Sequence, residues 1–154
     1  MSVSVRKNSG GVLVASCEEG GANFELFLKN FAEKDISFEV ELSEDGLEEK
    51  VLELLHKYGV EKKTMIVSSE LKRLLKAKDC DPFIHVGYTA ERLSEKDIDS
   101  LKEACVDEVR LRADEITAET VKKLHRIGFD VCAFGAKSFG EEKLRETGID
   151  AVIA

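Results

Sequence analysis

The chain is poor in proline, lacks tryptophan and has no surplus of positive charge. A single proline, Pro82, in 154 residues leaves little to interrupt helices or strands, because proline removes a backbone donor and ends them. No apolar run approaches the ~20 residues of a membrane helix, so no membrane span is expected. The apolar stretch Val12-Leu13-Val14-Ala15 is too short for a secretory leader, which makes the cytoplasm the default compartment. Lysine and arginine number 23 against 31 acidic residues, a net charge of −8. That balance argues against nucleic acid as a partner, since there is no basic footprint to displace counterions, while leaving room for a local anion site.

Cys17, Cys80, Cys105 and Cys132 lie far apart, with no C-x-x-C pair and no metal-ligand spacing to a histidine. They read as isolated thiols in a reducing compartment. With 43% hydrophobic residues the chain has too much apolar content for disorder, and its length suits one domain over residues 1–154.

From Ile36 onward, short β-branched runs alternate with stretches of helical period. Strands are expected at Ile36–Leu42, Met65–Ser68, Phe83–Gly87, Glu108–Leu111, Asp130–Phe134 and Ala151–Ile153. Helices are expected at Leu47–Lys57, Ser69–Ala77, Glu95–Glu103, Ala118–Ile127 and Glu141–Glu146. Ser94 with Asp97, and Ser138 with Glu141, have the spacing of capping boxes, and Gly59, Gly128 and Gly148 fall where helices should stop. The start differs: Val3–Val5, a polar turn at Lys7–Gly11 and Val12–Ser16 read as a hairpin, followed by a helix at Phe24–Phe31. The repeat of strand then helix implies an α/β fold with a parallel sheet, an open doubly wound sheet or a barrel. No G-x-G-x-x-G or Walker loop follows an early strand, which favours the barrel. No sequence repeat accompanies the structural one.

Several segments resemble the glycerophosphodiester phosphodiesterase family. Ile36-Ser37-Phe38-Glu39-Val40-Glu41 is similar to its "L-N-I-E-I-K" strand, and Met65-Ile66-Val67-Ser68-Ser69 to its "V-I-L-S-S-F". Gly128-Phe129-Asp130-Val131-Cys132-Ala133-Phe134 resembles "G-L-x-V-x-x-W", and Gly148 to Ala154 resembles "G-V-D-G-I-I-T". Ser2 to Val5 and Gly10 to Glu18 track "E-x-D-V … D-G-x-x-V-x-x-H-D". The resemblance covers nearly the whole chain and implies an incomplete TIM-like (β/α) barrel of about seven parallel strands, with the first βα unit missing. The two edges left by that unit would require closure with seven strands or a homodimer.

The resemblance further implies hydrolysis of glycerophosphodiesters by a histidine pair and a divalent cation, calcium or magnesium. Ser2 and Ser4 stand where the family has a metal-binding Glu and Asp, Cys17 stands in place of a histidine, and Glu41 replaces a lysine. Phe134, Gly135 and Lys137 replace its W, T and N. Of the metal carboxylates only Glu39 remains, and one carboxylate does not hold a catalytic divalent ion. No catalytic residue is therefore assigned. The expected function is a non-catalytic protein of this fold that binds a phosphate or phosphoester or serves in interaction; the alternative is an active metal-dependent phosphodiesterase with rearranged ligands.

The candidate ligand-binding residues follow from strand faces. Glu39 and Glu41 share a face with Ser37, and His85 shares one with Phe83 and Gly87. Arg110 and Arg112 share a face and could grip an anion in bidentate fashion or pair with Glu39 or Glu41. The loop Gly135–Gly140 brings Lys137 beside a helix start, a frequent phosphate position in barrels. His56 and His125, on helices beside Lys57 and Arg126, are read as solvent-facing.

Overall fold

The computed structural model describes residues 1–17, 20–136 and 139–153. By its internal packing the chain divides into two compact units, Met1–Val86 and Gly87–Ala154.

The first unit opens with β1 (Ser2–Lys7), β2 (Leu13–Cys17) and β3 (Gly20–Asn23). The Asn8 side chain turns the chain between β1 and β2, its Oδ1 accepting from the amides of Gly10 at 3.0 Å and Val12 at 2.9 Å. β1 and β2 pair antiparallel from Ser4↔Ser16 to Lys7↔Leu13, and β2 pairs antiparallel with β3. Helix α1 (Phe24–Phe31) starts where Asn23 Oδ1 accepts from the Leu26 amide. β4 (Phe38–Leu42), α2 (Glu48–Lys57), β5 (Thr64–Ser68) and α3 (Leu71–Cys80) follow. β4 lies parallel to β1 on one side and to β5 on the other.

Alternation along β4 sends Phe38, Val40 and Leu42, each at most 1% exposed, towards the helices. They pack with Val3, Val5, Leu52, Leu55, Ile66 and Leu74, and full burial of a side chain of this size contributes about 1.5–3 kcal/mol. Phe27 joins α1 to this core, with its ring centroid 6.0 Å from Phe38 and 4.8 Å from Phe31.

The boundary between the units falls inside β6 (His85–Ala90). The second unit continues with α4 (Glu95–Glu103), β7 (Glu108–Arg112), α5 (Ala118–Ile127), β8 (Asp130–Phe134), α6 (Glu141–Arg145) and β9 (Ala151–Ile153). β6, β7, β8 and β9 pair in that order, all parallel. The expected capping box is present: Ser94 Oγ accepts from the Asp97 amide and Asp97 Oδ2 accepts from the Ser94 amide. Thr117 caps α5 through the Thr120 amide. Val109, Leu111, Val121, Leu124, Val131 and Leu144 form the core beneath the helices.

Four expectations need correction. β3 was not anticipated, because Gly-Gly-Ala-Asn has no β-branched residue and is a strand only through its pairing with β2. β6 runs from His85 to Ala90 rather than from Phe83 to Gly87. Asp81 Oδ1 accepts from the Phe83 amide at 2.9 Å, so Phe83 belongs to a turn and is 90% exposed. The helix expected after Ser138 begins at Glu141 with Gly140 at its cap, and Ser138 itself lies outside the described residues. The edge of β1 opposite β4, expected to be open, is covered by β2.

Candidate functional site

In the first unit, parallel register lines up Ser2, Glu39 and Met65 across β1, β4 and β5, and Ser4, Glu41 and Val67 one step further on. These residues occupy the sheet face opposite the helix-packed core. Glu39 is half-buried and Glu41 exposed, and Ser4 Oγ shares a hydrogen bond with Ser43 Oγ. Glu39 and His85 line one cavity of about 230 Å³, together with Ser37, Lys62, Lys63 and Met65. The cavity lies at the amino-terminal ends of β4, β5 and β6, which begin at Phe38, Thr64 and His85. Lys63 Nζ is anchored by the carbonyls of Ala32 at 2.8 Å and Lys34 at 2.7 Å, and the amino terminus donates to Ser37 O at 2.7 Å.

This arrangement does not fit a catalytic calcium or magnesium ion. Such an ion takes six or more oxygen ligands, several of them anionic. The strand neighbours of Glu39 are a hydroxyl residue and a thioether residue, and two lysines share its cavity. Among the described residues no group of three or more metal-ligating side chains converges.

In the second unit, Arg110 is 6% exposed. Its Nε donates to Glu108 Oε1 at 2.5 Å, from two residues back on the same strand face. Cys132 sits beside Arg110 in the β7–β8 register and is 2% exposed. Burial above all, with the neighbouring Glu108 carboxylate adding to it, pushes the Cys132 thiol far above its ordinary pKa. A thiol in that state is a poor nucleophile. Arg112 forms a fork with Asp114, Nε to Oδ1 at 2.5 Å and Nη2 to Oδ2 at 2.6 Å. That contact holds the Asp114 carboxyl below the usual range and raises Arg112. Both arginines are thus already gripped by carboxylates of their own segment, Glu108 and Asp114. Lys137 lies outside the described residues.

The histidines read as solvent-facing are exposed, and each is also held by an aspartate. His56 Nε2 lies 2.8 Å from Asp81 Oδ2, and His125 Nε2 lies 2.8 Å from Asp150 Oδ2, each pair 25 residues apart in sequence. Burial, the largest influence on either aspartate, raises its pKa. The histidine bond, together with the amide of Phe83 for Asp81 and of Val131 for Asp150, outweighs burial and holds both carboxyls below the ordinary value. A repeat of H-x-x-G with an aspartate 22 residues beyond the glycine carries both clasps, the second copy offset by 69 residues. That spacing is the signal that could have found them.

No family model and no curated protein sequence matches the chain. Solved structures do. A candidate glycerophosphodiester phosphodiesterase from Galdieria sulphuraria superposes with a TM-score of 0.85 at 15% identity, over 99% of this chain and 80% of that one. An Oleispira antarctica phosphodiesterase in complex with the product sn-glycerol-3-phosphate gives 0.80 at 16%, over 99% and 79%. A glycerophosphodiester phosphodiesterase from Parabacteroides distasonis gives 0.78 at 18%, over 98% and 77%. The fold is that of the glycerophosphodiester phosphodiesterases. The mostly parallel α/β architecture expected from the resemblance therefore holds, with seven strands in the parallel ladders and β2 and β3 added antiparallel. No helix among the described residues is long and apolar enough to cross a membrane.

Proposed function

We propose that the chain is a non-hydrolytic, cytoplasmic binding protein of the glycerophosphodiester phosphodiesterase fold whose ligand is a small phosphoester. The carrying observation is the cavity that sets Lys62, Lys63 and His85 beside Glu39. Ammonium and imidazole groups donate to phosphate oxygens, while an ionised carboxylate accepts from hydroxyls, so the pair of chemistries suits a phosphate ester of a polyol. The product bound in the Oleispira antarctica structure, sn-glycerol-3-phosphate, has this composition. The non-hydrolytic reading is supported by Ser2 and Ser4, hydroxyl residues in register with Glu39 and Glu41, where the motif that the chain resembles has carboxylates. The free thiols of Cys80, Cys105 and Cys132 suit a reducing compartment.

Calorimetric titration with glycerol 3-phosphate, inorganic phosphate and glycerol tests the reading. Binding of glycerol 3-phosphate that weakens in Lys62→Ala and in His85→Ala is expected, with inorganic phosphate weaker and glycerol weakest. Absence of binding at millimolar ligand overturns it. Calcium- or magnesium-dependent release of glycerol 3-phosphate from a glycerophosphodiester, abolished by Glu39→Gln, would establish the active phosphodiesterase instead.

A further inference from the structure

A second cavity, of about 260 Å³, opens in the first unit, walled on one side by the end of α2 and the turn Glu61–Lys63 after it, and on the other by the turn at residues 81–84 that leads into β6. Phe83, on its rim, is 90% exposed, whereas no other large hydrophobic side chain among the described residues exceeds 54%. A half-covered leucine is ordinary on a protein surface; a phenylalanine held almost wholly in water is not. The turn that carries the ring is fixed from both sides. Asp81 Oδ1 accepts from the Phe83 amide at 2.9 Å, Asp81 Oδ2 faces His56 Nε2 at 2.8 Å, and Ile84, next in the chain, donates to Asp81 O and is 1% exposed. The ring is thus presented in one place, and little backbone freedom is left to lose when it is covered.

We propose that this patch is the contact surface of a homodimer in which Phe83 of each copy enters the cavity of the other across a two-fold axis. A two-fold contact requires one surface to carry both a projection and the recess that receives it. Phe83 and the cavity stand side by side and meet that condition, and the cavity exceeds the volume of a phenyl ring. The rim carries both signs of charge, Lys62 on the α2 side and Asp81 on the turn side. A two-fold axis sets the turn side of one copy against the α2 side of the other, so each Lys62 meets the opposite sign. Aromatic side chains desolvated at the centre of a contact carry most of its energy. Two rings of about 150–250 Å² each supply only part of the about 1,200–2,000 Å² of a stable interface, so the dimer is reversible and concentration-dependent. It is distinct from a dimer built on strand edges, which would bury neither Phe83 nor the cavity, and it holds whether or not the phosphoester reading does.

Sedimentation velocity of the full chain from about 10 μM to about 1 mM should show a monomer–dimer equilibrium within that range. Phe83→Ser should weaken it about a hundredfold, since each of the two buried rings contributes a factor of about ten or more. The exposure of Phe83 makes that variant safe for the fold, which an otherwise unchanged amide NMR spectrum checks. In the parent, the amide signals of His56, Lys62, Phe83 and Ile84 should shift with protein concentration while those of Val152 and Ile153 on β9 stay constant. Glycerol 3-phosphate should bind the parent and Phe83→Ser alike, so the dimer and the phosphoester site are read separately. A chain that stays monomeric at about 1 mM, a dimer indifferent to Phe83→Ser, or concentration-dependent shifts confined to other surfaces would each overturn the proposal.

Discussion

Glu108 and Arg110 form a deeply buried ion pair, with side chains 13% and 7% exposed and 2.5 Å between Nε and Oε1. Glu108→Ala removes the anion and leaves a guanidinium that water barely reaches. Breaking a buried pair from one side costs about 3–5 kcal/mol, since the remaining charge loses that partner. The partial exposure of Glu108 places the expected loss near the low end, about 3 kcal/mol. At about 2–4 °C per kcal/mol for a chain of this size, the melting temperature should fall by about 6–12 °C. The double variant Glu108→Leu with Arg110→Met replaces both charges by apolar groups and should lie within about 1 kcal/mol of the parent.

Urea titrations of the parent, both single variants and the double variant give the four corners of a cycle. The Cys132 thiol supplies a second readout. Without Glu108 its pKa should drop, yet it should stay above that of a free thiol because burial is the larger cause, so alkylation by iodoacetamide quickens modestly at alkaline pH. A single-variant loss below about 1 kcal/mol, or a double variant as unstable as the two singles summed, would refute this account of a desolvated pair.

Asp81→Asn and Asp150→Asn should destabilise the protein at neutral pH. Because both carboxyls are depressed in the folded state, their contribution is complete above the unfolded value of about 3.9 and disappears as pH falls through the folded value, so parent and variant melts should converge in acid. Ser94→Ala removes one half of the capping box of α4 and should cost about 1 kcal/mol by urea denaturation, with Ser94→Gly costing less. Gly128→Ala should cost about 1–2 kcal/mol by thermal melt, through backbone strain alone, because Gly128 caps α5 at φ +111° and an added Cβ meets nothing within 4 Å.

Where a short apolar run lies between turn signals, the strand was legible: β4, β5, β7, β8 and β9 fall within two residues of expectation at either end. β6 was misplaced because Phe83-Ile84 looks like the start of a strand until the Asp81 side chain is seen closing a turn on Phe83. Period-two alternation correctly put Glu39 and Glu41 on one face, and it puts Glu108 on the face of Arg110 as well. That carboxylate accepts from Arg110, and Asp114 likewise takes Arg112 from two residues ahead.

The paired histidine–aspartate clasps explain a regularity that composition hides. His56 stands at the end of α2 and Asp81 just before β6, so their bond closes a loop around all of β5 and α3; His125 and Asp150 close the same loop around β8 and α6. The contents of the two loops differ. The first spends Glu61–Lys63 on a tight turn ahead of β5 and then has a ten-residue helix, whereas in the second β8 begins two residues after Gly128 and α6 has five residues. Their ends do not differ: the amide of Val60 bonds Leu55 O and that of Phe129 bonds Leu124 O, each at 3.1 Å or less, just past the helix-ending glycine. A side-chain bond from helix end to strand start fixes where a unit begins and ends while leaving its interior free. Helix length, turn and loop can then exchange residues with one another inside a constant span, which is why two units so unlike in their interiors keep an identical spacing from histidine to aspartate.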